Sequence, residues 1–154
     1  MAMSAKASTL LEVAGLRSTE VRRRVLSAML DAGRSLSHRE LADLLIDFDR
    51  VTIFRTLKRL KEAGLVHGVQ GIDGISRYFV NLGRSEGCPG GHPHFLCLDC
   101  GRMSCLADQA MPRIGVPRGA EVRGKQLLVY GLCSTCAHSK RADAARRPRF
   151  DESP

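Results

Sequence analysis

Apolar residues fall into two periodic regimes in the first half of this chain, helical up to Gly64 and strand-like from Leu65 to Val80. Val21, Val25, Leu26, Met29 and Leu30 recur at helical steps, with Ser18 or Thr19 placed to cap the start and Gly33 the end. Ser37-His38-Arg39-Glu40 reads as a capping box, since the serine hydroxyl and the glutamate carboxylate can satisfy amides of the first turn. Leu41, Leu44 and Leu45 follow on one face. Asp49 is placed to cap a third helix with Ile53, Leu57 and Leu60 as its buried stripe and Gly64 as its stop. The period then changes. Leu65 to Val69 and Ile75 to Val80 predict paired strands, and Asp73-Gly74 supplies the turn chemistry between them.

Three short helices followed by a hairpin predict a winged helix-turn-helix over residues 1–80. The third helix is then the recognition helix, and Arg50, Thr52, Arg55, Lys58, Arg59 and Lys61 on its polar side suit phosphates and base edges. An ordinary solvated basic face is the competing explanation. Net charge adds weight to a polyanionic partner. It is +8 over 154 residues, with 13 Lys+Arg against 9 Asp+Glu in residues 1–80 and 5 against 3 in residues 137–154. No stretch approaches the roughly eighteen unbroken apolar residues that span a bilayer. The expectation is a cytoplasmic protein without a membrane partner.

All six cysteines, at 88, 97, 100, 105, 133 and 136, lie in the second half, a clustering that favours metal over disulfides inside a cell. Cys97-Leu98-Asp99-Cys100 and Cys133-Ser134-Thr135-Cys136 are two C-x-x-C knuckles. Together they offer four thiolates to a structural zinc, with no position left open for catalysis. A thioredoxin-type dithiol would need a βαβ context and a helix N-terminus, neither of which is visible. Motifs of zinc hydrolases, nucleobase deaminases, serine hydrolases and P-loops are all missing, so no enzyme is expected. His67, Cys88, His92, His94 and Cys105 remain as ligand-type side chains for a second metal. His92 and His94 flank Pro93, and an extended strand would turn both to one face.

Gly15-Leu16-Arg17, Val51 to Leu57, Glu62 to Val66, His92 to Gly101 and Tyr130 to Cys136 resemble, in that order, segments of the ferric uptake regulator family. The resemblance spans about residues 10–137, and the cysteine and histidine block is its most specific part. It implies an α+β chain: a winged helix, a hinge at 81–91, and a small α/β dimerisation domain at 92–136 with a four-cysteine zinc site. The polar tail 137–154 is expected to be disordered. The implied function is metal-dependent repression by a homodimer on a palindromic, A·T-rich operator in double-stranded DNA.

Carried over residue by residue, Cys97, Cys100, Cys133 and Cys136 match the structural zinc ligands, and Arg55 and Arg22 match arginines of the DNA-binding domain. Phe54 stands for a tyrosine and keeps an apolar face for a thymine methyl. Thr52 and Lys58 complete the expected DNA-contacting set. The departures bear on the sensed metal. Iron-type members carry a histidine where this chain has Ser35, a glutamate at Phe79 and a glutamate at Cys105. A further family site uses a histidine where Lys125 stands. Zinc-sensing members instead take a ligand at the position of His67 and a cysteine near the hinge, for which Cys88 is the candidate. The resemblance therefore implies a second zinc as corepressor, held by His67, Cys88, His94 and Cys105 with His92 competing for a place. Iron or manganese is the alternative within the family, and peroxide sensing a further one. A zinc-ribbon or thiol protein without specific DNA binding is the alternative outside it. Between the knuckles, Pro112, Gly115, Pro117 and Gly119 predict that the usual helix is shortened or lost.

Overall fold

The computed structural model describes residues 2–82 and 92–146. The hinge loop's Cys88 and the end of the tail lie outside the described residues.

The helical stripes read from sequence form the core of the first half. Helix α1 (Ala2–Val13) precedes α2 (Glu20–Ala32), the two-residue strand β1 (Leu36–Ser37), α3 (His38–Leu44) and α4 (Arg50–Glu62). Val25, Leu26, Leu36, Leu41, Ile53, Leu57 and Leu60 are all buried in one cluster, each side chain contributing about 1.5–3 kcal/mol on removal from water. Helix α1 is an addition to the three predicted helices. Its contribution to the core is narrow, with Ala7 and Leu11 fully buried one turn apart against that cluster.

The helix ends follow the predicted chemistry with one exception. The Ser37 hydroxyl accepts from the Glu40 amide at 3.2 Å, and the Glu40 carboxylate accepts from the Ser37 amide at 2.7 Å. Asp49 accepts from the Thr52 amide at 2.9 Å. Gly33, at φ 59°, closes α2 in the left-handed conformation that costs glycine nothing. Thr19 occupies the N-cap of α2, but its hydroxyl makes no capping bond.

Strands β2 (Val66–Gln70) and β3 (Ser76–Val80) form the wing, and β1 pairs on the other side of β3, giving the antiparallel order β1-β3-β2. A second sheet is built from β4 (His94–Cys97), β5 (Met103–Cys105) and β6 (Leu128–Gly131) in the order β5-β4-β6, with β4 antiparallel to β5 and parallel to β6. Residues 106–127 contain neither helix nor strand, as their prolines and glycines predict.

The two sheets pack directly against each other. Val69 of the wing joins Leu96 and Met103 in a second buried cluster flanked by Phe79 and Leu128. Three polar ties reinforce it: Ser35 Oγ donates to the Met103 carbonyl at 3.1 Å, Arg77 Nε to the Gly101 carbonyl at 2.7 Å, and Gln126 Nε2 to the Gln70 carbonyl at 2.8 Å.

The expected disorder of residues 137–154 is corrected over 137–146 by helix α5 (Ser134–Arg146), which begins inside the second knuckle, and residues 147–154 lie outside the described residues. Its run of alanines and long polar side chains has high helix propensity. Lys140 pairs with Asp99 at 2.8 Å and ties the helix to the first knuckle.

Candidate metal centres and nucleic-acid interface

The turn Cys97–Gly101 follows β4, and Cys133 follows β6. The parallel pairing of these two strands is what brings the knuckles together. Cys97, Cys100, Cys133 and Cys136 offer sulfurs that all lie within 4.8 Å of one another, and Cys100 and Cys133 stand 4.0 Å apart. A tetrahedral thiolate site with zinc–sulfur bonds of about 2.3 Å needs separations of about 3.8 Å. The set therefore fits with only a slight contraction. Amides already point at the sulfurs: Cys133 N–H donates to Cys97 Sγ at 3.3 Å. That bond, with the Cys100 amide, pulls the Cys97 thiol down, while hydrogen bonding to Cys133 pushes Cys136 up, so without a metal Cys97 is the thiolate the cluster forms first.

The second cluster straddles the two sheets. His67 comes from β2, His92 and His94 from the entry and first residue of β4, and Cys105 from the end of β5. Antiparallel pairing sets Cys105 opposite His94, and their ligand atoms with those of His67 and His92 lie within 4.8 Å of one another. His67 Nε2 stands 3.8 Å from Cys105 Sγ. His94 is buried, and among the described residues both of its ring nitrogens lack a hydrogen-bond partner, as does Nδ1 of His67. Unpartnered buried nitrogens cost free energy unless something binds them. Burial, followed by the neighbouring histidines, pushes His67 and His94 down to about 4, so both rings stay neutral and keep a lone pair for a metal. Two imidazoles beside a thiol suit zinc or another borderline cation better than a ferrous site of imidazole and carboxylate.

Phe79 explains part of this arrangement. It stands where the resemblance places a glutamate, and its ring stacks on His67 at 5.0 Å between centroids and 7° between planes. A flat apolar support replaces a carboxylate ligand. Ser35, where iron-type members carry a histidine, is buried and spent on the Met103 carbonyl.

The structure thus brings together four of the five expected sensing residues, His92 included, while Cys88 lies outside the described residues. Arg77 was not singled out from sequence. It is 6% exposed, and besides Gly101 it holds Asp73 at 2.7 Å. The signal was an arginine in phase with Ile75 and Phe79 on a strand, where an apolar residue normally sits.

The exposed side of α4 carries Phe54, 53% exposed, with Arg55 and Lys58 also exposed. The His38 ring lies edge-on to Phe54 at 6.1 Å and bonds the Arg50 carbonyl at 2.8 Å, so Phe54 is supported from α3. Thr52 is committed locally, its hydroxyl donating to Asp49 at 2.5 Å. Arg22 donates to the Arg17 carbonyl at 2.7 Å, which fixes the approach to α2.

Residues 13–122 match the model of the ferric uptake regulator family. The ferric uptake regulation protein of Cupriavidus metallidurans is 28% identical over 144 residues, 88% of this chain and 92% of its own length. Among solved structures, a zinc uptake regulator complexed with zinc and DNA superposes with a TM-score of 0.67 at 22% identity, covering 91% of this chain and 96% of that one. The ferric uptake regulator of Vibrio cholerae superposes with a TM-score of 0.58 at 22% identity, covering 82% and 98%. These structural likenesses establish the fold.

Proposed function

The chain belongs to the ferric uptake regulator family, and from that premise we propose that it is a zinc-responsive transcriptional repressor binding DNA as a homodimer. Membership makes it a metal-responsive transcription regulator rather than an enzyme. The observation that carries the choice of metal is the second cluster: three histidines and a cysteine, with Phe79 stacked where a carboxylate ligand would stand. The ferric name of the curated relatives favours iron as the second reading.

Cys97, Cys100, Cys133 and Cys136 would hold a structural zinc, and His67, His92, His94 and Cys105 the sensed ion. When bound, the sensed ion supplies a cross-link between the wing and the β5-β4-β6 sheet. His67 brings the wing's strand β2 to the site, while His94 and Cys105 bring neighbouring strands of the other sheet. The residues around them make that junction responsive: the ring nitrogens of His94 have no hydrogen-bond partner among the described residues, and Phe79 stacks on the His67 ring. Moving a mostly inactive population to a mostly active one takes about 5.5 kcal/mol of differential affinity, within the reach of a zinc site. Arg55, Lys58 and Phe54 then enter the major groove, with Thr52 and Arg22 setting the ends of their helices.

The dimer surface is assigned to the outer side of β6, an edge strand in the order β5-β4-β6. Val129 and Tyr130 on that strand are 47% and 55% exposed, and a second copy would cover them.

The test is selection of duplexes from a random-sequence pool with zinc, ferrous or manganous ion, or chelator present. Enrichment of a palindrome with zinc alone supports the reading. Enrichment with ferrous or manganous ion but not zinc moves the corepressor, and no metal-dependent enrichment sinks it.

A further inference from the structure

A groove runs between the C-terminal end of α4, the wing and the segment just before β6. Lys61, Gln70, Tyr78, Arg123, Lys125 and Gln126 line it, and no acidic side chain among the described residues does. Lys61 lies seven residues beyond Phe54 and three beyond Lys58, so it extends the same stripe of the recognition helix. Gln70 and Tyr78 point from alternate positions of β2 and β3 to one face of the wing. Gln126 pins the third wall in place through its bond to the Gln70 carbonyl. The only acidic group near Arg123 among the ion pairs of the described residues is Glu121, at 3.6 Å and with both side chains largely exposed, a contact of little energy.

Three cations converging on an open groove repel one another unless an anion joins them. The groove is continuous with the recognition stripe on one side and the wing on the other, and this favours an extended polyanion over a small ion. We propose that Arg123 and Lys125, from the C-terminal half, bind the phosphodiester backbone of duplex DNA together with Lys61. The regulator's non-specific and specific DNA affinity would then draw on both halves of the chain. The inference rests on the DNA-binding reading above and deepens it, since it assigns DNA contacts to the segment between the two knuckles.

Phosphate contacts of this kind are read by salt dependence, each contributing about 0.9 to the slope of log K against log salt concentration. The experiment measures anisotropy of a fluorescently labelled duplex of mixed sequence with zinc-loaded protein, from about 50 to 200 mM salt. It compares the unsubstituted chain, Arg123→Gln/Lys125→Gln, Arg123→Lys/Lys125→Arg and Arg55→Glu. The double glutamine variant should bind more weakly, with its slope shallower by about 1.8 for two lost contacts. The charge-conserving pair should restore the slope, and thermal unfolding should be unchanged throughout. If Arg55→Glu weakens binding while the glutamine pair leaves the slope unaltered, the groove does not meet DNA and the inference falls alone. If the unsubstituted zinc-loaded chain binds no duplex, the repressor reading falls with it.

Discussion

Arg77, a wing residue, donates from Nε to the carbonyl of Gly101, the residue that closes the first cysteine knuckle, at 2.7 Å. Gly101 sits at φ 69° and its own amide donates back to the Cys97 carbonyl at 3.0 Å. A residue with a Cβ would be strained at that φ and would stand 3.3 Å from the arginine. The shape of the knuckle and the seat of the wing are therefore set by the same turn.

Arg77→Met should lower stability by about 2 kcal/mol, the cost of leaving the Gly101 carbonyl and Asp73 without their charged donor. Asp73 is partly exposed, so Asp73→Asn should cost well under that. Chemical denaturation of both variants checks the ranking. Equal losses would show that the Gly101 contact adds nothing beyond the ion pair.

Metal content separates the two cysteine and histidine clusters. Purified anaerobically with zinc, the chain should carry two zincs per monomer, one yielding to a mild chelator. His94→Ala should carry one and keep its circular dichroism, whereas Cys133→Ser should lose much of its fold along with the retained zinc. Elemental analysis with and without chelation decides this, and an unfolded His94→Ala would reverse the two assignments.

Arg55→Glu should reduce affinity for any duplex by about tenfold or more, since it removes one phosphate or base contact and adds a repulsive charge. Metal content should not change. Anisotropy titration alongside elemental analysis tests both halves of this expectation.

Ser37→Ala should cost about 1 kcal/mol, the usual worth of a capping hydroxyl. The box also has a pH signature. Burial opposes ionisation of Glu40, but the Ser37 amide, Arg34 and the Ser37 hydroxyl outweigh it and hold the carboxyl below its ordinary value of 4.5. Glu40 stays ionised longer in the folded state than in the unfolded chain. Its contribution is thus present above pH 4.5 and lost as pH falls through the folded value. Glu40→Gln should flatten that acid limb in urea unfolding series.

What could be read in advance was chemistry that acts over a few residues. The Ser37–Glu40 box, the Asp49 cap, the Asp73-Gly74 turn and the two C-x-x-C pairs each carry their own geometry, and the folded chain places them as expected. Helix α1 escaped because its buried contribution reduces to Ala7 and Leu11, too sparse a stripe to stand out. Helix α5 escaped because its polar, alanine-rich residues have helix propensity but no apolar stripe to mark them, and its tie to the first knuckle, the exposed Lys140–Asp99 pair, spans 41 residues of sequence. Arg77 could not be placed from local sequence, since one of its partners, the Gly101 carbonyl, lies in the turn between β4 and β5. His92 was legible as a ligand-type residue, but its place beside His67 depends on how the two sheets meet.

Strand β4 carries His94 at its first position and Cys97 at its last, with one cluster drawing on each. At about 3.3 Å of rise per residue, the two ligands stand about 10 Å apart along a strand held on both edges. Alternation turns them to opposite faces of the sheet. The strand therefore acts as a fixed ruler between two coordination spheres. Loops around it can lengthen or change composition without consequence for that spacing. A single residue inserted within Phe95-Leu96 would exchange the faces of everything downstream, so the two spheres could not both survive it.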